Sequence, residues 1–367
     1  MNVLVLYQSP WWNAAAYYTF NVVKALKQSN HNIIFAGRDD TPLAREISHF
    51  DIKINDIDLF TYSPFKLISN IRQIKKLIIE NHIDVVIPVS APGHILIGLN
   101  KKIRIKSLPI LKVCLDNVPP VNNVFNRHLH NKLTNYFLFP GLSTKKRYDK
   151  IFSINKYKIL HAPLDLNEFS NYLSNSKIKK NLGIPNNKII ISFIGRFSPE
   201  KGIFFLVDIV KKAVERSDKL FFIFSGIEGQ IKHEEVFKKV EELELQNFVK
   251  IIDKVDDVRD LISITDIGLL TSRYSEFICR IVMEFMAFKV PVIAPDLNVI
   301  PEVAENKKTG FIYDLNNSKE AAEYILNLAD NKELRKQMGE GGFERVNEYY
   351  SLEKFKKEIE DILINHL

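Results

Sequence analysis

The chain has 367 residues, of which 46% are hydrophobic and 26% are charged, and its formal net charge is +7. This length predicts two domains or one unusually large one, and the composition favours neither a disordered chain nor a coiled coil. No apolar run reaches the roughly 18 residues needed to cross a bilayer, and no basic leader or cleavage site precedes the first apolar segment. We therefore expect a cytoplasmic protein.

The positive charge and the two cysteines restrict the classes of partner. Cys114 and Cys279 lie far apart in the sequence, so neither a disulfide framework nor a zinc site is expected. The charge fits a nucleic acid, an anionic membrane, a phosphorylated substrate or an ordinary solvated surface. No zinc-finger, helix-turn-helix or aromatic RNA-binding pattern is present, so we expect no nucleic-acid partner.

Along the first half of the chain, short apolar runs alternate with longer amphipathic stretches. This rhythm of strand, helix and strand is typical of an α/β domain with a parallel sheet. It predicts strands over residues 3–7, 33–36, 84–89 and 110–115, and helices over residues 17–27 and 65–79.

The same rhythm restarts after a polar passage rich in Asn and Ser over residues 167–187. Because parallel sheets bind ligands outside the carboxyl ends of their strands, two sheets facing one another would form a deep inter-domain cleft. Pattern alone leaves a transferase, a dehydrogenase and a two-lobed binding protein open. The second half is predicted to contain strands over residues 189–194, 220–224, 249–252, 267–270, 290–293 and 311–313, and a helix over residues 203–216.

A strand-to-helix turn with two cations, GRFSPEKG, occupies residues 195–202. The N-terminus of a helix offers unpaired N–H groups and a partial positive charge, to which Arg196 and Lys201 would add point charges. This combination favours a phosphate-binding turn. The alternative is a surface turn whose cations are merely solvated.

A second constellation, SEFICRIVMEFMA over residues 275–287, reads as a loop entering a helix. Glu276 and Glu284 stand in an almost wholly apolar stretch, where a carboxylate is either paired or used. Carboxylates on one side of a helix could accept hydrogen bonds from the vicinal hydroxyls of a sugar and a ribose. The alternative is a helix N-cap plus a core salt bridge with Arg280 or Lys289.

Together these segments resemble the retaining nucleotide-sugar transferases of family 4, the group 1 glycosyltransferases, which have the GT-B fold. The resemblance covers residues 160–350 and is weaker before them. It rests on the turn over 195–202, SGIEG over 225–229, DIGLLTS over 266–272, the two glutamates with seven residues between them, VPVIA over 290–294, Glu302, Thr309 with Gly310, and the tail from Arg345 to Tyr350.

The resemblance implies an α/β fold of two Rossmann-like domains facing a central cleft. It places an acceptor-side domain at residues 1–165, a donor-binding domain at 166–349, and a helix over about 350–367 that packs back on the first domain. It also implies a nucleotide-sugar donor, no metal or other cofactor, and transfer with retention to a saccharide or lipid-linked acceptor in surface polysaccharide or glycolipid assembly.

By the same resemblance, Arg196 and Lys201 neutralise the diphosphate, Glu276 contacts donor-sugar hydroxyls and Glu284 holds the ribose. Those first three residues are candidate catalytic groups, together with His94 and Asp116. The predicted donor-binding residues are Gly195, Arg196, Lys201, Gly226, Ser275, Glu276, Phe277, Ile278, Cys279, Arg280, Ile281 and Glu284.

The N-terminal domain leaves several alternatives open. His94 and Asp116 each follow a predicted strand, where a functional and a structural role both fit. Trp11 and Trp12 could stack on a sugar or lipid-linked acceptor, or wedge into the domain core. The basic stretch over residues 101–147 could rest on the anionic inner face of the membrane, as a peripheral contact.

Cys279 and Lys289 stand where the resembled family usually has glycine, and the loop over residues 9–16 lacks the usual glycine pair. The Cys279 side chain could therefore tune the donor site or impair it. These departures motivate the alternative of a catalytically silent homologue that binds a nucleotide-sugar or acts as a partner subunit. A third possibility is a nucleotide-sugar epimerase, although the C-terminal motifs fit transfer better.

Overall fold

The computed structural model describes residues 1–61, 63–103, 108–116, 118–170, 172, 178–185, 187–274 and 276–367. The chain divides into two compact units, one made of Met1–Pro163 with Leu352–Leu367 and the other of Leu164–Ser351. The sequence places these divisions after residues 165 and 349. Within the described ranges, no helix is long and apolar enough to cross a membrane.

Parallel strands form the centre of the first unit. In its described residues, four strands form a sheet of order β3-β2-β1-β4 and three more form a sheet of order β5-β6-β7. A single parallel bridge between Val86 and Ile110 continues the first sheet toward the second. The strands are β1 (Asn2–Leu6), β2 (Asn32–Gly37), β3 (Ile54–Asp56), β4 (Val85–Pro88), β5 (Leu111–Val113), β6 (Tyr136–Phe139) and β7 (Tyr157–Ile159).

Several helices of the first unit begin at residues whose side chains cap them. The Asn13 side chain accepts a hydrogen bond from the Ala16 N–H, and Ser63 caps a helix whose first residue is Pro64. Both arrangements satisfy N–H groups that lack a partner in the first turn. The helices are α1 (Ala14–Gln28), α2 (Pro42–Ser48), α3 (Pro64–Glu80), α4 (Ala91–Ile103), α5 (Val124–His128) and α6 (Leu142–Asp149), with a π-helical turn at Leu129–Leu133.

In the described residues, the second unit has one all-parallel sheet of order β10-β9-β8-β11-β12-β13. Its strands are nearly continuous apolar runs, as expected for a sheet covered by helices on both faces. The strands are β8 (Ile189–Ile194), β9 (Leu220–Ser225), β10 (Val249–Ile252), β11 (Ile267–Leu269), β12 (Val292–Pro295) and β13 (Gly310–Tyr313).

The helices of the second unit are joined to the sheet through its largest hydrophobic cluster. α9 contributes six buried residues to this unit, Ile203, Leu206, Val207, Ile209, Val210 and Ala213. The helices are α7 (Asn167–Ser170), α8 (Ile178–Asn181), α9 (Ile203–Val214), α10 (His233–Glu242), α11 (Val258–Ile262), α12 (Arg280–Ala287), α13 (Ile300–Val303), α14 (Ser318–Asp330) and α15 (Lys332–Tyr349), with a 3₁₀ turn at Pro199–Lys201.

The last helix, α16 (Leu352–Asn365), belongs to the first unit and packs against α1. The rings of Tyr18 and Phe355 meet edge to face with centroids 5.4 Å apart. His31 Nε2 lies 2.5 Å from Glu360 Oε1. The chain therefore returns to complete the unit in which it began.

The α/β class with parallel sheets is confirmed, and each strand predicted in the second half is present within two residues of its predicted ends. The first half was predicted less completely, because β3, β6 and β7 were missed. These strands have only three or four residues, too few to establish a periodicity.

Two residues that replace glycine of the resembled family adopt the left-handed conformation that favours glycine. Cys279 has φ 55° and Lys289 has φ 59°. Lys289 follows the C-cap of α12, and the N–H groups of Lys289 and Val290 donate to the carbonyls of Met286 and Phe285, which is a Schellman motif. The backbone has therefore kept the conformation although the glycine is absent.

Lys289 provides a direct test of this strain. We expect the Lys289→Gly variant to be more stable than Lys289→Ala by roughly 1 kcal/mol, because both lose the ion pair with Glu340 but only glycine adopts positive φ without strain. Melting temperatures from calorimetry would measure the difference. At Lys238, an exposed position within α10, the order should reverse, with alanine the more stable by about 0.5–1 kcal/mol. The same order at both positions would contradict the interpretation.

Candidate functional site

The strand order of the second unit defines where a ligand can bind. From β8 the chain proceeds outward through β9 and β10, and then returns to the other side of β8 for β11, β12 and β13. The loops that follow β8 and β11 therefore leave the sheet in opposite directions. Open parallel sheets bind ligands at the carboxyl ends of their strands at this switch point.

Glycines bring the turns after β8 and β9 into backbone contact. The N–H of Gly195 donates to the Ser225 carbonyl at 2.9 Å, and the N–H of Phe197 donates to the Ile227 carbonyl at 2.9 Å. A Cβ atom at Gly226 would lie 1.8 Å from the Gly195 carbonyl oxygen. Any side chain at residue 226 would separate the two turns, so Gly226 has a clear structural requirement, whereas a Cβ atom at Gly195 would meet only the Phe193 ring at 3.3 Å.

The loops after β8 and β11 are also held together. Gly202 has φ 66°, and a Cβ atom there would lie 2.1 Å from the Thr271 carbonyl oxygen. The Thr271 hydroxyl donates to the Lys201 carbonyl at 2.8 Å, and the Arg273 N–H donates to the Glu200 carbonyl at 2.7 Å. The turn that precedes α9 is therefore fixed against the loop that carries Glu276.

Lys201 and Glu276 form an ion pair across these two loops. The Nζ of Lys201 lies 2.5 Å from Oε2 of Glu276, and the Ser272 hydroxyl donates to the same oxygen at 2.8 Å. The Arg196 side chain is exposed, and among the described residues it makes no hydrogen bond. The structure thus brings Lys201 and Glu276 together and leaves Arg196 open to solvent.

Glu284 is a buried residue of α12 and forms an ion pair with a cation of the same helix. Its Oε1 lies 2.6 Å from Nε of Arg280, one helical turn earlier. Burial raises the pKa of Glu284, and the nearby Arg280 charge opposes that rise. The salt bridge considered as an alternative for Glu284 is therefore present with Arg280, whereas Lys289 pairs with Glu340.

The two glutamates do not share one helix. α12 begins at Arg280, so Glu276 precedes it, and the N-cap is Cys279 rather than a glutamate. The prediction of a loop that enters a helix, with Glu276 before the helix start, is confirmed. The idea that both carboxylates lie on one side of a helix, and the alternative of a glutamate N-cap, are wrong. The left-handed backbone at Cys279 ends the loop and turns the chain into the helix.

The remaining donor-site candidates lie around this turn. Cys279 is buried, and its burial raises the pKa of its thiol, which disfavours the reactive thiolate. Ile278 is also buried, while Phe277 and Ile281 are half-buried. Ser275 lies outside the described residues. In the part of the chain that the structure describes, no three His, Cys, Asp or Glu side chains are grouped to hold a metal ion.

His94 is buried inside the first unit, with 1% of its surface exposed. Its Nε2 lies 2.8 Å from the Thr134 hydroxyl, and its ring meets the edge of His130 with centroids 4.7 Å apart. Burial lowers the pKa of His94 well below its usual value. This environment argues against contact with a substrate and favours the structural alternative.

Asp116 follows β5 and anchors a buried lysine. Lys112 is fully buried, and its Nζ donates to Asp116 Oδ2 at 3.1 Å and to the Val89 carbonyl at 2.8 Å. The Tyr148 hydroxyl donates to the same carboxylate oxygen at 3.2 Å. The Asp116 side chain is 22% exposed, so it combines this structural pairing with access to solvent.

The loop after β1 presents a tryptophan to solvent. Trp11 is 69% exposed, so it does not wedge into the core, whereas Trp12 is 39% exposed and packs against the edge of Phe20. The Ser9 hydroxyl bonds to the backbone of Trp11 and to the Asn13 side chain, which braces the loop. Trp11 thus offers an open aromatic face on a held turn.

Several side chains that position the site were missed from the sequence. Ser272 binds Glu276, while Arg273 donates to Asn316 at 2.7 Å and stacks 4.4 Å from the Phe205 ring centre. Lys112 holds Asp116 in the first unit. A lysine within the apolar run over residues 110–115 was a usable signal, because a buried charge requires a partner.

Comparison with known proteins matches both parts of this chain to one class of enzyme. The family model described as "Glycosyl transferases group 1" matches residues 174–345, which contain the site at β8 and β11. The model described as "Glycosyl transferase 4-like" matches residues 11–111. Together the two matches support a group 1, family 4-like glycosyltransferase.

Relatives and solved structures agree with this family. N-acetyl-alpha-D-glucosaminyl L-malate synthase of Bacillus anthracis is 29% identical over 188 residues, which are 51% of this chain and 48% of that protein. The chain spans about half to three fifths of the length of the curated relatives it matches.

Two solved structures of glycosyltransferase type share the fold of this chain, GT-B, over almost its whole length. Anabaena HepE in complex with UDP has a TM-score of 0.87 and 18% identity, with 99% of each chain covered. A glycosyltransferase from Rickettsia africae also has a TM-score of 0.87, with 21% identity, covering 100% of this chain and 99% of that chain. At these identities the likeness establishes the fold.

The buried histidines of the first unit predict acid sensitivity. Burial lowers the pKa of His130 to about 4, below its unfolded value near 6.5, so the folded state binds fewer protons. The corresponding stability, roughly 3 kcal/mol, is fully present above pH 6.5 and is lost as the pH falls toward 4.

We expect His130→Phe, which retains stacking on Phe152, to flatten the decline of the melting temperature between pH 7 and pH 5. Circular dichroism at a series of pH values would measure it. The exposed neighbour provides the control, since His128→Gln should keep the wild-type decline. An unchanged decline in His130→Phe would refute the assignment.

Proposed function

We propose that this glycosyltransferase moves a sugar from a nucleoside-diphosphate sugar to an acceptor hydroxyl, with retention of configuration at the anomeric carbon. The observation that carries the proposal is the grouping of Lys201 and Glu276 at the switch point of the second sheet, beside the exposed Arg196. The two cations match the anionic diphosphate of such a donor, and the carboxylate matches the hydroxyls of its sugar.

The turn after β8 is suited to the diphosphate. It ends at the N-terminus of α9, whose unpaired N–H groups and partial positive charge favour an anion. Arg196 and Lys201 add two full charges at this turn. In transfer, the diphosphate leaves with developing negative charge, which these groups stabilise in the transition state without needing a metal ion.

The carboxylates are suited to the hydroxyls of the donor. Glu276 lies after β11 beside Lys201, where it can accept a hydrogen bond from the donor sugar. Glu284 lies in the following helix and can accept one from the ribose, where its pairing with Arg280 offsets the cost of burial. The similar Anabaena structure is a complex with UDP, which supports a nucleotide as a ligand of this chain.

The acceptor is proposed to be a saccharide or a lipid-linked saccharide in surface polysaccharide or glycolipid assembly. The open face of Trp11 can stack on a sugar ring, and the Asp116 carboxylate can accept a hydrogen bond from a hydroxyl. Peripheral contact of the basic stretch over residues 101–147 with an anionic membrane would suit a lipid-linked acceptor.

A screen of nucleotides and nucleotide-sugars tests donor binding. A ligand that binds only the folded protein raises its melting temperature by mass action, so one nucleoside diphosphate and its sugar conjugates should stabilise the chain. The Arg196→Ala variant should lose most of that shift, whereas Arg216→Ala, which removes an exposed arginine just after α9, should retain it. Absence of any shift in the wild type would contradict the proposal.

Turnover tests transfer itself and separates an enzyme from a catalytically silent homologue. With the donor and an accepting saccharide, Lys201→Ala should lower kcat by about 10²–10³-fold, because one group that stabilises the leaving diphosphate is removed. Lys211→Ala, an exposed lysine of α9, is the control. NMR of the product should show the donor's anomeric configuration. A folded Lys201→Ala enzyme with normal turnover would exclude this assignment, and an inverted product would exclude retention.

A further inference from the structure

The Lys201–Glu276 ion pair exists in the protein alone, and it is shielded from water. The two side chains are separated by 2.5 Å, and their exposed fractions are 30% for Lys201 and 12% for Glu276. Surface ion pairs contribute little because water screens them, whereas a pair in this setting is screened less. The pairing is therefore a feature of the site before any donor arrives.

Glu276 is itself held in place. The Ser272 hydroxyl donates to the oxygen that contacts Lys201, and the Val299 N–H donates to the Glu276 backbone carbonyl at 3.3 Å. The chain on the other side of the pair is equally fixed, since the Lys201 carbonyl accepts from the Thr271 hydroxyl. Glu276 can therefore fix the direction in which the ammonium of Lys201 points.

Arg196 shows the contrasting arrangement. It lies on the same turn as Lys201, but it is exposed and has no hydrogen-bond acceptor among the described residues. A long cationic side chain loses conformational freedom when a ligand immobilises it. Lys201 loses little conformational freedom when a ligand binds, because Glu276 has already ordered its side chain. Arg196 must lose that freedom on binding.

Electrostatics favours the same conclusion. A lone carboxylate close to a diphosphate would repel it, and Glu276 lies next to the cation that the diphosphate needs. Pairing with Lys201 offsets that repulsion. Glu276 is thereby connected to the phosphate half of the donor as well as to the sugar half.

We propose that Glu276 is a positioning residue for Lys201, and that it contributes to binding of a nucleoside diphosphate even when no sugar is attached. This inference rests on the proposed function. A Glu276 that only contacted sugar hydroxyls would leave binding of the free nucleoside diphosphate unaffected, so the two roles are separable by experiment.

Isothermal titration calorimetry would compare the nucleoside diphosphate found in the screen with its sugar conjugate. Glu276→Gln should weaken binding of the free nucleoside diphosphate by about 10- to 100-fold, within the range of coupling between residues of one salt-bridge network. Lys201→Ala should give a similar loss, and the double variant should lose little more, since the residues act together. Glu340→Gln breaks the Lys289–Glu340 pair of the same unit and should leave both affinities unchanged.

The results separate this inference from the proposed function. Weakened binding of the free diphosphate in Glu276→Gln, with non-additivity toward Lys201→Ala, supports the positioning role. Normal binding of the diphosphate with weakened binding of the nucleotide-sugar overturns it and leaves the proposed function intact. A wild type that binds neither ligand overturns both. If Glu276→Gln does not fold, Glu276→Asp decides, because its shorter side chain moves the carboxylate away from Lys201; unchanged diphosphate affinity there overturns the inference.

Discussion

In the parallel sheet of the second unit, strands are added on both sides of β8, and this strand order determines where a ligand-binding site can lie. The loops after β8 and β11 diverge from neighbouring strands, yet the backbone contact between Gly202 and Thr271 keeps their bases together. Lys201 and Glu276 can meet only because both conditions hold. The position of the proposed donor site thus follows from strand order and close backbone approach, which bring the charged groups together there.

Charged groups at reduced exposure are consistently paired in both units. Lys112 with Asp116, Lys201 with Glu276 and Arg280 with Glu284 each join a cation to a carboxylate, and in every pair at least one member is largely shielded from solvent. Removing a charge from water carries a cost that a partner partly offsets. Pairing also fixes direction, so the same contacts that make burial tolerable can orient groups toward a ligand.

Cys279 and Lys289 adopt the left-handed backbone conformation that favours glycine, although neither is a glycine. Both residues have positive φ, and each lies at an end of α12, the helix that carries Glu284. The chain turns at these two residues because α12 begins after the loop that carries Glu276 and ends before β12.

The sequence by itself determined the α/β class, the strands with long apolar runs and the two charged segments at residues 195–202 and 275–287, since these depend on local pattern. The three short strands β3, β6 and β7 were beyond it, because their stability comes from neighbours in the sheet. His94 follows a strand, where site residues of parallel sheets often lie, but in the structure it is buried against Thr134 and His130. Only the tertiary structure shows that Lys201 contacts Glu276. The two residues lie in loops far apart in the sequence, and local sequence patterns carry no information about contacts between distant segments.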